Sequence, residues 1–255
     1  CGVPASWTYT LNSDEETGTY HSEAALRTEA ARHYVGLAME PALPGGELAI
    51  ERFGSGQFML EAFGRSAHVG RDFAKGVSAA AALARAIVGA TDLADAARDR
   101  IVSIGPIRGG EATNVVPEYA AAWGNVRFPT PQIADELGRA IDALAHGAEG
   151  EAPRVVVHRS FNRPAKPLID GTKRVAELAR QSAEALGQQL PFARTGGVCD
   201  GNVLQDAGLP TIDTLGVRGG GLHTTSEWID LTSLTERAAL FAVLMIRIGE
   251  GRLAG

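Results

Sequence analysis

Three consecutive acidic residues near the beginning of the chain could do chemistry that a single carboxylate cannot. Asp14, Glu15 and Glu16 follow an apolar segment at residues 7–11 and end at a small-residue turn. Adjacent carboxylates repel one another, and the repulsion disappears if a cation lies between them or if one holds a proton. Because charge runs are usually solvated, the triplet alone favours an exposed turn. The alternative is a metal ligand beside a general base.

Four other residues whose side chains could take part in chemistry stand at predicted strand ends or in Gly-rich loops: Glu40, His68, Arg127 and His223. Two carboxylates and a histidine could coordinate zinc and leave one position open for water. A further glutamate beside that water could act as a general base. Taken singly, each residue could equally be a strand terminator, a helix cap or a solvated charge. Cys199 is interpreted as a structural thiol, because catalysis by cysteine needs a base that the sequence does not place.

The elements that position the acids follow the pattern of an open α/β sheet. Residues 7–11 alternate as a strand, 22–32 form an Ala- and Glu-rich helix, and 34–39 read as a short buried strand ending at Glu40. Two strands would then each deliver a carboxylate at the carboxyl edge, where such sheets bind ligands. The same pattern resumes after Pro167, with a long amphipathic helix at 231–248. The predicted buried face of that helix comprises Leu231, Leu234, Ala238, Phe241, Leu244, Met245 and Ile248.

The middle of the chain, residues 54–166, has a different order of elements. Its pattern is β-α-β-β-α-β, the ferredoxin-like unit. The predicted fold class is therefore α/β, with one mixed-sheet domain at 1–53 and 167–255 interrupted by the ferredoxin-like insert. We expect the sheet of the first domain to be incomplete at its N-terminus.

Composition excludes several classes of partner. The 255 residues carry a net charge of -6, with 45% hydrophobic and 21% charged residues, as is ordinary for a globular protein. No Lys/Arg run predicts a nucleic-acid surface, and no apolar run predicts a membrane span. Two cysteines do not make a disulfide framework, so we expect a reducing, cytoplasmic location.

The order of motifs resembles the zinc-dependent metallopeptidases that include glutamate carboxypeptidase, acetylornithine deacetylase and succinyl-diaminopimelate desuccinylase. The resemblance covers essentially the whole chain, and the acidic triplet with its spacing to Glu40 is the most specific part. The matching segments are Asp14-Glu15-Glu16-Thr17-Gly18, Glu40-Pro41, Gly64-Arg-Ser-Ala-His68-Val-Gly70, Asn114-Val-Val-Pro117, Asn125-Val-Arg127, Arg163-Pro164, Thr195-Gly-Gly197 with Asp200, and Gly221-Leu-His223 followed by Glu227.

The resemblance implies a role for each matching residue. Glu15 is similar to a general base that activates a metal-bound water, and His68 to a histidine that reaches across a dimer to stabilise an oxyanion. The implied metal ligands are Glu16, Glu40 and His223. The implied substrate-binding residues are Asn114, Arg127, Arg163 and Gly197, since an arginine can bind a carboxylate through two parallel hydrogen bonds.

The implied function is hydrolysis of an amide bond in a small peptide or N-acyl amino acid at a dinuclear zinc centre, with cobalt or manganese as alternatives. The insert is implied to be a lid and dimerisation domain, which predicts a homodimer. The resemblance also implies an upstream His-x-Asp motif and a bridging Asp, yet the thirteen residues before Asp14 contain neither His nor Asp. We therefore expect a C-terminal portion of a longer enzyme, inactive in this form.

Three alternatives stay open at this point. The first is N-carbamoyl amino acid hydrolysis or aminoacylase activity on the same fold. The second is a non-catalytic dimerisation or binding module that has lost its metals. The third, a two-carboxylate glycosidase using Asp14 or Glu15 with Glu40, ranks last because it leaves His68, His223 and Arg127 without a role.

Overall fold

A computed structural model describes residues 2–253, and the chain divides into two compact units. The split unit comprises Cys1–Phe53 and Ala165–Gly255, and the inserted unit comprises Gly54–Pro164. The boundary predicted from sequence placed the end of the insert at residue 166. Each unit is described by itself below.

Twelve strands and seven α-helices make up the described part of the chain. The strands are β1 (Gly36–Leu37), β2 (Leu48–Arg52), β3 (Gly54–Phe63), β4 (Ala67–His68), β5 (Ile101–Gly109), β6 (Val115–Val116), β7 (Tyr119–Phe128), β8 (Arg154–Arg163), β9 (Phe192–Thr195), β10 (Thr211–Ile212), β11 (Gly219–Gly220) and β12 (Trp228–Ile229). The helices are α1 (Glu23–Ala30), α2 (Val69–Asp72), α3 (Ala79–Thr91), α4 (Pro131–Asp142), α5 (Asp170–Glu184), α6 (Asp200–Asp206) and α7 (Leu231–Gly249).

The inserted unit is an antiparallel four-stranded sheet in the order β5-β7-β3-β8. Helices α3 and α4 both pack against this sheet. Along β3, Phe58, Leu60 and Ala62 are buried and alternate with more accessible side chains, as a sheet covered on one face requires. This order confirms the predicted ferredoxin-like unit.

Side-chain caps fix where the two helices of the inserted unit begin. The Ser78 hydroxyl accepts a hydrogen bond from the Ala81 amide at the start of α3. Thr130 caps α4 in the same way, accepting from the Ile133 amide, and Pro131 occupies the first helical position. Both arrangements satisfy amides that have no partner within the helix.

The split unit contains two short parallel strand pairs and one antiparallel pair, β11 with β12. Strand β1 pairs with β10 and β2 pairs with β9, both parallel, and an isolated antiparallel bridge joins Ala49 to Asp213. Its core lies between these strands and the helices α5 and α7. The buried core members are Leu48, Val175, Ala176, Leu178, Ala179, Ala183, Leu190, Ile212, Leu215, Leu240, Leu244 and Ile248.

Residues 7–11 do not form the predicted strand. They have no regular secondary structure, and the side chains of Trp7, Tyr9 and Leu11 are exposed. Alternation of aromatic residues with threonine favours a strand only where a neighbouring strand offers its backbone, and none pairs with this segment within residues 2–253. The predicted strand at 34–39 is reduced to the two residues Gly36 and Leu37.

The buried face of α7 differs from the predicted one. Leu231 and Leu234 are exposed, whereas Ser233 and Arg237 are buried beside Leu240. Arg237 can be buried because its Nη2 donates to the Gly46 carbonyl at 2.7 Å. Leu244 and Ile248 lie on the buried face as predicted. No helix in residues 2–253 combines the length and the apolar character that crossing a membrane needs.

Candidate metal centre

The acidic triplet folds into a single turn of 3-10 helix, Glu15–Thr17, which gives its three carboxylates different surroundings. Asp14 is buried, and its carboxylate accepts hydrogen bonds from the Ser22 hydroxyl at 2.6 Å and the His21 amide at 2.7 Å. These hydrogen bonds hold the pKa of Asp14 below its ordinary value, and the bond from Ser22 has the largest effect. Asp14 therefore positions the turn and leaves Glu15 and Glu16 to face outward.

Glu40 follows β1 and has the most perturbed carboxyl group of this region. Burial raises its pKa to about 7, and the negative charge of Glu15 adds to the shift. The positive charge of Arg52 opposes the shift. Two carboxylates from separate segments are thus close enough to repel, and such repulsion is relieved by a proton or by a cation.

His223 contacts Glu16 of the same turn. Its Nδ1 atom lies 3.7 Å from Oε2 of Glu16, and both side chains are about three-quarters exposed, at 74% and 76%. The loop holds His223 at a φ of 63°, a left-handed conformation that is uncommon for a residue with a side chain. The hydroxyl and amide of Thr224, which both donate to the Gly221 carbonyl, brace this loop.

The predicted ligands thus approach the acidic turn as two separate pairs, Glu15 with Glu40 and Glu16 with His223. Their donor atoms, carboxylate oxygens and an imidazole nitrogen, are those that zinc accepts. However, no three His, Cys, Asp or Glu side chains among residues 2–253 are close enough to hold a metal ion together. The described residues therefore fit part of a coordination set and do not complete one.

Two of the predicted residues of the inserted unit, His68 and Asn114, are brought together by the pairing of β4 with β6. His68 pairs with Val115, and the Asn114 carbonyl accepts a hydrogen bond from the Val69 amide at 2.9 Å. The His68 ring caps α2, with Nδ1 accepting from the Gly70 amide at 3.1 Å. Both side chains are exposed. The cap fixes the direction of the ring through Nδ1.

Arg127 and Arg163 lie on either side of Ser55 in one row of the sheet, because Ser55 pairs with both. Both guanidinium groups therefore stand on the same face. The Nη1 atom of Arg127 is buried and has no hydrogen-bond partner among residues 2–253, and burial lowers the pKa of this side chain. An unpaired buried donor of this kind is the observation that fits an anionic ligand best.

Gly197, the remaining predicted residue, is exposed in the loop between β9 and α6. A side chain at this position would begin 3.3 Å from Nη1 of Arg52. The absence of a side chain at residue 197 keeps this edge of the Arg52 guanidinium uncovered.

Sequence reasoning missed a buried charge cluster in the split unit. Oδ1 of Asp213 accepts a hydrogen bond from Nε of Arg52 and lies 2.7 Å from Nη2 of the same arginine. Oδ2 of Asp213 lies 3.1 Å from Nζ of Lys166. The contact with Lys166 is an ion pair whose geometry falls short of a hydrogen bond. The only signal in the sequence is an acid inside the apolar run at residues 210–215.

Two further features of the loop 195–200 refine the sequence reading. Asp200 accepts short hydrogen bonds from Asn12 Nδ2 and Thr19 Oγ1, both at 2.6 Å, and so ties the loop to the acidic turn. Cys199 is fully buried, and burial raises the pKa of its thiol far above neutrality. The thiol is therefore not a nucleophile at physiological pH.

Comparisons with known proteins find similar sequences and folds. Residues 50–152 match the family model described as a peptidase dimerisation domain of the M20 type. The chain is 25% identical over 248 residues to carboxypeptidase G2 of Pseudomonas sp. (strain RS-16), covering 96% of this chain and 60% of that protein. It is 30% identical over 133 residues to succinyl-diaminopimelate desuccinylase of Methylorubrum extorquens (strain PA1), covering 52% of this chain and 34% of that protein.

Solved structures show the same fold. Aminopeptidase PepT from Bacillus cereus superposes with a TM-score of 0.74 at 24% identity, over 95% of this chain and 63% of that one. Bacillus subtilis YXEP, described as a dinuclear metal binding peptidase from the M20 family, gives a TM-score of 0.61 at 21% identity, over 85% and 57%. Two curated relatives match nearly the whole of this chain, and the chain spans about 60% of their length. Residues 50–152 therefore match an M20-type peptidase dimerisation domain, and the chain as a whole is similar to carboxypeptidase G2.

Proposed function

We propose that this chain is part of a metal-dependent hydrolase that cleaves an amide bond in a small peptide or an N-acyl amino acid. The observations that carry the proposal are the 3.7 Å contact between His223 Nδ1 and Glu16 Oε2 and the raised pKa of Glu40, to which the charge of Glu15 contributes. The relatives named carboxypeptidase and desuccinylase support the same class of reaction.

In the proposed dinuclear centre, Glu16 and His223 would hold one zinc and Glu40 the other, with cobalt or manganese as alternatives. Bound metal would supply a Lewis acid and a water of lowered pKa. Glu15 takes a proton from the attacking water and returns it to the leaving nitrogen, which is general acid–base catalysis. Glu15 is partly buried within the turn, and its charge acts on Glu40.

The inserted unit supplies the groups that bind substrate in this proposal. His68 from a second copy of the chain donates to the developing oxyanion, and its ring direction is fixed by the Gly70 amide. Arg127 and Arg163 bind the substrate carboxylate together with Asn114, and the unpaired Nη1 of Arg127 is the donor that supports this role. In the split unit, the open backbone at Gly197 lets substrate approach closely.

The proposal includes the expectation that the 255 residues alone do not turn over substrate. Its support is that no three ligands converge in the described part of the chain. The test is to measure zinc content and hydrolysis of N-acyl amino acids with this chain after incubation with zinc. We expect less than one tightly bound zinc per chain and no turnover. Two tightly bound zinc ions with turnover would show that the present ligands suffice.

A non-catalytic dimerisation module is the second candidate, and the match of residues 50–152 to a peptidase dimerisation domain favours it. The two candidates differ in the full-length protein. Hydrolysis of N-acyl amino acids that stops on removal of metal supports the enzyme, and a metal-free, inactive full-length dimer supports the module.

We also propose that the inserted unit forms a homodimer through β5. This strand is at the edge of the sheet and pairs only with β7 within residues 2–253, so its other side offers unpaired backbone groups. Ile101 and Ile107 on β5 and Val88 on α3 are exposed apolar side chains of this unit. Sedimentation velocity should show a dimer that Ile107→Lys converts to a monomer. An unchanged dimer in Ile107→Lys would place the interface elsewhere.

A further inference from the structure

The face of the inserted sheet that carries Gln57 has an ordered set of rows. Residues paired across strands share a face, so Ser103, Asn125, Gln57 and Ser160 form one row of uncharged polar side chains. The neighbouring row contains Trp123, Met59 and His158. Hydrogen-bonding amides and hydroxyls therefore stand beside a large aromatic ring.

A bulge in β5 opens a cavity next to that ring. Ile104 pairs with Gly124 and Ile107 with Ala122, so Gly105 and Pro106 together stand opposite the single residue Trp123. The cavity beside this bulge is open to solvent and has a volume of about 490 Å³. The residues that line it are Gln57, Ser103, Gly105, Pro106, Arg108, Trp123, Gly124 and Asn125.

The charge of the lining is positive. Arg108 is its one charged residue, and the guanidinium carbon lies 5.9 Å from the centre of the Trp123 ring. Glu61 stands in the same row as Arg108, with Ala121 between them, and is already bonded to the Tyr119 hydroxyl and to His158 Nε2, each at 2.7 Å. Both carboxylate oxygens of Glu61 are therefore bonded to groups other than Arg108.

We propose that this cavity is a binding site for a small aromatic carboxylate. The flat ring of the ligand lies against Trp123, its carboxylate faces Arg108, and its polar substituents bond to the amides of Gln57 and Asn125. A ring supplies the stacking area that an aliphatic acid lacks, and a carboxylate matches the only charge in the lining. The proposal rests on the inserted unit alone and needs neither bound metal nor turnover.

The test uses 4-hydroxybenzoate as the probe and isothermal titration of the 255-residue chain at low ionic strength. Two matched probes separate the two features of the ligand. The compound 4-hydroxybenzamide keeps the ring and removes the charge, and cyclohexanecarboxylate keeps the charge and removes the flat ring. We expect 4-hydroxybenzoate to bind about tenfold more tightly than either, a difference that corresponds to one good charged or stacking contact.

Two arginine variants provide the matched control. Arg108 lies over Trp123, and Arg154 lies over Phe63 at 5.8 Å from the ring centre, away from the cavity lining. Arg108→Met should weaken binding of 4-hydroxybenzoate about tenfold, and Arg154→Met should leave it unchanged. Trp123→Leu should weaken it as well, while Trp123→Phe, which keeps a flat ring, should retain most of the affinity.

Three results would overturn the proposal. One is no binding of 4-hydroxybenzoate at millimolar concentration by the unaltered chain. Another is equal weakening by Arg108→Met and Arg154→Met, which indicates a general attraction of anions to the surface. The third is equal affinity for 4-hydroxybenzoate and cyclohexanecarboxylate, which removes the ring of Trp123 from the site.

Discussion

The split unit contains two groups of charged side chains that differ in how well their charges are matched. In the buried cluster, Asp213 has one oxygen against Arg52 and the other against Lys166, and both Asp213 and Lys166 are fully buried. Around the acidic turn, Glu15 and Glu40 repel each other, and the Glu16–His223 contact is exposed. The first arrangement suits structure, whereas in the second the positive charge of Arg52 only partly offsets the burial and repulsion that raise the pKa of Glu40.

This difference indicates which charged side chains of the split unit contribute to stability and which are candidates for chemistry. Removing a charge from the matched cluster leaves buried charge without a partner, so its cost appears in stability. Removing a carboxylate from the acidic turn relieves repulsion or alters an exposed group, so its cost appears in metal binding and catalysis. The predictions below separate these outcomes, beginning with the largest effect on stability.

Asp213→Asn should produce the largest change. Two buried cations, Arg52 and Lys166, would lose their shared anion, which typically lowers the free energy of unfolding by about 3–5 kcal/mol. Urea unfolding measures the loss. The matched control is Asp142→Asn, which breaks a more exposed pair with Arg159 and should cost below about 1 kcal/mol. Equal losses in the two variants would mean that Asp213 is not a central anion.

Glu40→Gln should stabilise the metal-free chain at alkaline pH. The pKa of Glu40 is raised from its ordinary 4.5 to about 7, so the folded state holds a proton more tightly than the unfolded state. The contribution of Glu40 to stability therefore falls as pH rises from 4.5 to 7, and the full penalty is present above pH 7. Because the side chain is only partly buried, we expect about 1–2 kcal/mol.

Urea unfolding at pH 5 and pH 8 with a metal chelator checks this effect. The difference in unfolding free energy between Glu40→Gln and the unaltered chain should be larger at pH 8 than at pH 5. A difference that does not depend on pH would show that Glu40 titrates normally.

His223→Ala should have the smallest effect on stability, within about 0.5 kcal/mol, because the side chain is exposed. Its effect should instead appear in metal binding. In a zinc titration followed by histidine ring NMR signals, His223 should respond first. The matched control is His33, whose Nε2 lies 3.6 Å from Oε2 of Glu29 and which lacks the additional carboxylates of the turn. A response of His33 before His223 would contradict the proposed centre.

Much of the fold could be predicted from the sequence where local signals are strong. Helix α4 begins at Pro131, where proline and the preceding Thr130 are local signals of a helix start. The order of strands in the insert followed from alternation and turns. The strand expected at residues 7–11 was wrong because alternation needs a pairing partner, which is a tertiary property. The face of α7 was partly wrong because Arg237 finds a carbonyl acceptor 191 residues away in sequence.

The candidate site was predictable in its parts and not in its geometry. The acidic triplet and Glu40 stood out because adjacent acids at predicted strand ends are chemically unusual. The separate duties of Asp14, bonded to Ser22, and of Glu15, beside Glu40, depend on contacts that folding makes. The cluster of Arg52, Lys166 and Asp213 was missed because its members come from three distant segments. Each one alone reads as an ordinary charge.

The central claim is that the acidic turn is the hydrolytic centre and that Glu15 is its base. The most direct measurement is kcat and metal content of Glu15→Gln in the full-length protein with an N-acyl amino acid as substrate. We expect the metal content to be unchanged and kcat to fall by about 10²–10⁴-fold, the usual contribution of a general base. An unchanged kcat with metal retained would contradict the account.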